Sequence, residues 1–221
     1  MSKDKEVKYS TVKYNSLTIF NNPSFATHTI AGAINDTSFK DFRDFLNKVF
    51  EHNQKIDEDD REFKEKEAFN KIHDPEAKPT FRSTKTKIER INLIVDSRGG
   101  SCSSMTNIVA LMNASPIPID TYCFGAAMSA GFMIFIHGKR RYIDGTVDLM
   151  THSLSTMVWD DAPSIKRYTD HIVRLNDIYQ QMIADKTGLT LEWIKQNEER
   201  DIHFIAEEAL KSKIADVLVV N

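Results

Sequence analysis

The stretch from Ile119 to Ile136 limits what this chain can fold into more than any other. Its opening, Ile119-Asp-Thr-Tyr-Cys-Phe124, has the β-branched and aromatic content of a buried strand. Gly125-Ala-Ala-Met-Ser129-Ala-Gly131 then switches to small side chains, and the apolar run to Ile136 predicts two helical turns. A strand that passes through small residues into an apolar helix belongs to an α/β fold, where helices pack closely on a sheet. Ser129 stands where the turn becomes the helix, and two roles are open to it. As a small residue it lets the helix approach the strand. As a nucleophile it has beside it the unpaired N–H groups and positive dipole end of a helical first turn. Those are the donors that an oxyanion formed at a carbonyl requires.

Bulk properties narrow the setting. A chain of 221 residues builds one domain with a substantial core, and a net charge of −3 gives no global attraction to nucleic acid or an anionic membrane. Cys102 and Cys123 lie among apolar or small residues and read as buried thiols, which fits a reducing compartment. The polar start, Met1-Ser-Lys-Asp-Lys-Glu6, lacks the apolar core of a signal peptide, and the run from Tyr122 to Ile136 is too short to cross a bilayer. A cytoplasmic protein is expected.

Around the central stretch, elements alternate. Residues 1–16 read as an arm or a hairpin, Leu17–Phe20 and Thr27–Ala31 as strands. A helix follows with Phe39, Phe42, Leu46, Val49 and Phe50 on one face and Ser38 as its cap. Residues 55–90 hold ten acidic and ten basic side chains and read as an exposed insertion, helical up to Lys71 and a loop around Pro75 and Pro79. Its alternative role is a docking arm for a partner. Ile91–Val95 is strand-like and ends in the glycine turn Asp96-Ser97-Arg98-Gly99-Gly100-Ser101, before a helix carrying Met105, Ile108, Val109 and Met112. The paired glycines let backbone N–H groups come close to a ligand, although the spacing is neither that of a P-loop nor that of a dinucleotide fingerprint. Tyr142-Ile143 and Val147–Thr151 read as short strands, with His152 following. From Pro163 a long helix repeats Ile165, Tyr168, Ile172, Leu175, Tyr179 and Met182 at near-heptad spacing, which serves either self-association or plain packing. A short helix at Leu191–Ile194, a strand at Ile202–Ile205, a helix at Ala206–Lys211 and a strand at Ile214–Val220 complete the order.

Four motifs in order resemble the Clp protease proteolytic subunit, ClpP, a serine peptidase family with a crotonase-like fold. Ser97–Ser101 resembles its Ser-Pro-Gly-Gly turn, and Cys123–Gly131 its nucleophile turn, with Met128 in place of an alanine. Lys139–Tyr142 with Leu149–His152 resembles the approach to the catalytic histidine. Thr187-Gly188, Arg200-Asp201 and Ala206-Glu-Glu-Ala209 resemble the surroundings of the catalytic aspartate. The likeness runs from about Thr29 to Val219, broken by the charged insertion.

That resemblance implies an α/β fold, a repeated β-β-α superhelix with a long handle helix. It also implies an N-terminal arm over 1–26 and a peptidase domain over 27–221 carrying the insertion at 55–90. The implied activity is peptide-bond hydrolysis in peptides and unfolded proteins, with Ser129 as nucleophile, His152 as general base and Asp201 supporting the imidazole. The backbone N–H groups of Gly100 and Ala130 form the implied oxyanion hole. Neither metal nor organic cofactor is implied. The implied partners are further copies of the chain, in heptameric rings stacked in pairs, and an AAA+ unfolding ATPase. Three departures stand out: Arg98 replaces proline, the glycine-rich segment after His152 becomes Ser153–Asp161, and residues 1–26 do not match the ATPase-binding arm. A catalytically silent subunit, a crotonase-type acyl-CoA enzyme and a relative of the Ser–Lys signal-peptide peptidases are the competing readings.

Overall fold

In this computed structural model residues 9–13, 16, 22–73 and 84–220 are described. The expected strand at Leu17–Phe20 and the prolines at 75 and 79 lie outside them. The strands are β1 (Ser10–Lys13), β2 (Phe25–Ile34), β3 (Arg90–Gly100), β4 (Ile119–Cys123), β5 (Ala126–Met128), β6 (Arg141–Ile143), β7 (Asp148–Thr151), β8 (Ile202–Phe204) and β9 (Val217–Val220). The helices are α1 (Asp36–His73), α2 (Cys102–Ala114), α3 (Ala130–Ile136), α4 (Ala162–Lys186), α5 (Leu191–Gln196) and α6 (Ala206–Lys211).

β3 organises the sheet because its two halves pair with different strands. Ile91–Ile94 lies parallel to Ile119–Tyr122 of β4, whereas Ser97 pairs with Ala127 of β5. From the first half the sheet continues through β4, β6, β9 and β1, and from the second through β5, β7 and β8, with β2 along the other side of β3. Here the sequence reading is corrected twice. Ile91–Val95 does not stop at Asp96 but runs on to Gly100, because β2 continues to offer partners as far as Ile34. Between Gly125 and the helix lies a further strand, β5. Asp96 Oδ1 accepts from the Ala126 N–H at 3.3 Å, and a Cβ on Gly125 would sit 2.8 Å from that same oxygen. The turn is therefore tight enough to return the chain to β3.

The core lies between this curled sheet and helices α1, α2 and α3. Every residue of α3 is buried, so its apolarity all round reflects burial on all sides. In α2, Met105, Ile108, Val109 and Met112 face the core at helical spacing, and Ser101 caps its start by accepting from the Ser104 N–H. The cap of α1 is Asn35, not Ser38: Asn35 Oδ1 accepts from the Thr37 and Ser38 N–H groups, while Ser38 Oγ accepts from the Asn35 N–H. An amide one residue outside the helix reaches both first-turn donors, which a side chain already inside the turn does not.

α1 also absorbs the first half of the charged insertion into one 38-residue helix. Its buried residues end at Ile56, and Phe69 and Ile72 are exposed. The returning chain is fastened to it where Asn53 and Ile88 exchange two hydrogen bonds of 2.8 Å and Lys87 pairs with Asp57. β1 lies parallel to β9 and, among the described residues, is the last strand on that side of the sheet. Both cysteines are free thiols, Cys123 fully buried and Cys102 half-buried; burial pushes the Cys123 thiol up to about 12. His137, for which local sequence offers no context, is buried, with Nδ1 2.6 Å from the Met133 carbonyl oxygen.

β6 and β9 are joined by a fork. Arg141 donates from Nε and Nη2 to the two Asp216 oxygens at 2.9 and 2.7 Å. Burial pushes the Asp216 carboxyl up, but the Arg141 hydrogen bonds and charge more than offset this and hold it below the usual range. Asp216→Asn is expected to cost roughly 1.5–3 kcal/mol at neutral pH. A carboxyl whose folded value is depressed stabilises above its unfolded value and loses that contribution as pH falls through the folded one. Thermal melts of the two proteins should therefore differ by about 4–10 °C at pH 7 and converge below about pH 4.

Candidate active site

Ser129 is the N-cap of α3 and has φ 53° and ψ −119°, a region that a non-glycine residue rarely occupies. The surroundings impose it. The Ser129 N–H donates to the Met150 carbonyl of β7 at 2.8 Å, and the Ser129 carbonyl accepts the Met133 N–H of the first helical turn at 3.1 Å. Two glycines make room for it. A Cβ on Gly99 would lie 2.8 Å from the Ser129 Cβ, and one on Gly131 would lie 2.7 Å from the Ser97 carbonyl oxygen. The small residues of the motif thus do what packing requires and also hold the hydroxyl in a strained, defined position.

β5 and β7 are neighbours, with Met128 opposite Met150, so the residue after each strand emerges at the same end of the sheet. His152, just beyond β7, is brought there with its Nε2 2.8 Å from Ser129 Oγ. With the ring proton on Nδ1, Nε2 accepts from the serine hydroxyl. On the other side of β7, β8 runs antiparallel with Thr151 opposite Ile202, which puts Asp201 beside His152. Asp201 Oδ1 stands 4.0 Å from His152 Nδ1, beyond hydrogen-bonding range, and the carboxylate is 63% exposed. Ser129 and His152 are in contact; Asp201 is adjacent and disengaged.

Gly100 and Ala130 line the same cavity as Ser129 and His152, a space of about 80 Å³. That is room for two or three waters or a short side chain. The Ala130 N–H lies in the opening turn of α3, where no intrahelical acceptor exists. Gly100 has φ 148°, and a Cβ there would meet the Ile34 carbonyl oxygen at 2.2 Å. Met105, Met133 and Ile183 supply apolar wall, and Cys102 borders it with a thiol that burial shifts upward. Sequence reasoning missed these wall residues as a site. Their signal was the apolar periodicity of α2, α3 and α4, which is the same for a core face and a pocket wall.

Asn176, Gln180 and Glu198 were also missed as neighbours of the site. The Leu154 N–H donates to Asn176 Oδ1 at 3.0 Å, and Gln180 Nε2 donates to Glu198 Oε2 at 2.6 Å. Among the described residues, no group of three or more His, Cys, Asp or Glu side chains is placed to hold a metal ion, and no helix is long and apolar enough to cross a membrane.

Comparison with known proteins extends this geometry. A sequence profile of the Clp protease family matches residues 77–221. The chain is 29% identical over 133 residues to the ATP-dependent Clp protease proteolytic subunit 4 of Rhodococcus jostii (strain RHA1), spanning 59% of this chain and 69% of that one. It is 31% identical over 131 residues to proteolytic subunit 1 of Bacillus cereus (strain ATCC 10987 / NRS 248), spanning 58% and 68% respectively. Among solved structures it resembles a point mutant of ClpP1 from Listeria monocytogenes, with a TM-score of 0.64 at 18% identity over 88% of this chain and 91% of that one. The mixed α/β architecture with its curled sheet is therefore the ClpP, crotonase-like fold. With the profile covering β3, the serine turn and everything after it, this chain belongs to the Clp protease family.

Proposed function

We propose that the chain is a serine endopeptidase acting on peptides and unfolded protein through Ser129, His152 and Asp201. The observation that carries this reading is the 2.8 Å contact between His152 Nε2 and Ser129 Oγ. A serine hydroxyl is a weak nucleophile until a base removes its proton, and an imidazole at that distance is such a base. In the first step Oγ bonds to the peptide carbonyl carbon while its proton passes to Nε2. The carbonyl oxygen becomes an oxyanion, facing the N–H groups of Gly100 and Ala130. His152 then returns the proton to the leaving amine as the C–N bond breaks, and water repeats the sequence on the acyl-serine ester. Asp201 holds Nδ1–H and balances the imidazolium once it closes on the ring.

The assembly forms part of the same proposal. α4 buries only Gln180 and Ile183, whereas Ile165 and Tyr168 of its apolar stripe are 36% and 39% exposed, and Val173 and Ile178, on other faces of the helix, are 57% and 54% exposed. Apolar side chains left open over that length suit a second copy of the chain, as in stacked rings, with an unfolding ATPase supplying substrate. A catalytically silent subunit is the second reading, favoured by the gap at Asp201.

One experiment separates the two. A fluorophosphonate probe is applied to the wild type and to Ser129→Ala while particle mass is measured by light scattering. Serine-dependent labelling of an oligomer supports the peptidase. An oligomer whose Ser129 never reacts supports the silent subunit.

A further inference from the structure

Resting on the triad reading, we infer that Glu198 is a positioning residue which sets the separation between His152 and Asp201. The contacts form a closed ring around the two loops. Ser153, directly after His152, donates from Oγ to the Glu198 carbonyl at 2.9 Å. Leu154 donates its N–H to Asn176 Oδ1 at 3.0 Å, and Asn176 Nδ2 returns to Glu198 Oε2 at 3.4 Å. Gln180 Nε2 donates to that same oxygen at 2.6 Å, from a side chain that is only 4% exposed. One residue therefore fastens the chain after the histidine with its backbone and grips α4 with its carboxylate.

Asp201 needs such a fastening. Among the described residues its carboxylate has no hydrogen-bond partner, and the one ion-pairing contact it makes is with the His152 imidazole 4.0 Å away, which is charged only when protonated. Its place is fixed only through the main chain, on one side by β8 pairing with β7 and on the other by the turn that follows α5. Glu198 is the residue of that turn whose side chain reaches the body of the protein at α4. A carboxylate that must move inward by about 1 Å to lend its support is sensitive to where that turn is held, since misplacement on this scale typically costs on the order of a hundredfold in rate.

The test is a double-mutant cycle on the full chain in its assembled form, using a fluorogenic peptide and the rate of fluorophosphonate labelling. Glu198→Ala is expected to lower kcat by roughly ten- to a hundredfold with KM little changed. Glu198→Gln keeps an acceptor oxygen for Asn176 and Gln180 and should restore most of the loss. In an Asp201→Asn background, Glu198→Ala should cost nothing further, because the residue acts through Asp201. Equal fractional losses in both backgrounds, a change confined to KM, or no rescue by glutamine would overturn the inference. If Glu198→Ala melts well below the wild type, Asn176→Ala opens the ring from the other side and takes its place in the cycle. A wild type that neither cleaves nor labels, or an Asp201→Asn variant as active as the wild type, removes the triad reading itself before any Glu198 substitution is made, and the inference falls with it.

Discussion

Ser129→Ala and His152→Ala should each lower peptide hydrolysis by on the order of 10⁴ to 10⁶, and the double variant should be no slower than either alone. The reason is the 2.8 Å contact, through which hydroxyl and imidazole act as a single unit in the proposed mechanism. Removing the serine leaves a base with nothing to deprotonate, and removing the histidine leaves a hydroxyl that is not ionised at neutral pH. What remains is the contribution of binding and of the proposed oxyanion amides at Gly100 and Ala130, which all three variants share. Steady-state kinetics on a fluorogenic peptide measure this directly. Additive losses would show the two side chains acting separately, in conflict with the proposed role of His152. Neither substitution should alter folding appreciably, because Ser129 and His152 lie at strand ends on the surface of the cavity and not in the core.

The glycine pair should split stability from activity. Gly100 has φ 148°, and a methyl group there would lie 2.2 Å from the Ile34 carbonyl oxygen, a backbone atom that cannot swing aside. Gly100→Ala is expected to cost roughly 3–6 kcal/mol through combined backbone strain and overpacking. In a chain of this size that is a fall of about 10–20 °C in melting temperature. At Gly99, with φ 111°, the added methyl group meets the Ser129 Cβ at 2.8 Å and Oγ at 3.2 Å. Gly99→Ala therefore pushes on Ser129, the proposed nucleophile, and should reduce kcat by about a hundredfold with a smaller fall in melting temperature. Calorimetry and kinetics on the same two preparations decide the point. The reverse pattern, with Gly100→Ala merely inactive and Gly99→Ala unfolded, would contradict this packing around the two glycines.

Local chemistry was readable wherever a residue's neighbours in sequence are also its neighbours in space. The strand at Ile119–Cys123, the helix starting near Pro163 and its end just before Gly188 follow from periodicity and from backbone preferences that act over a few residues. The apolar stripe of α4 was equally plain, although only the tertiary structure shows that Ile165 and Tyr168 in it are exposed while burial falls on Gln180 and Ile183, which lie outside it. Errors arose where a distant partner overrides local tendency. β3 extends to Gly100 because β2 lies alongside it, and the chain enters β5 after Gly125 because Asp96, thirty residues earlier, accepts the Ala126 N–H. Asn35 took the cap from Ser38 because capping depends on reach and not on residue type alone.

The order of residues by itself determined the family, the alternating α/β layout and the identity of the serine and histidine motifs, since each is written in short contiguous runs. Only the tertiary structure decided how far apart Ser129, His152 and Asp201 stand. β5, β7 and β8 are contributed by segments up to about eighty residues apart, and their register brings Ser129 and His152 into contact while leaving Asp201 at 4.0 Å. Such a distance depends on how strands from remote parts of the chain align and on what holds the turn before Asp201. Neither is encoded in any one stretch, because pairing energy is shared between segments that meet only after folding.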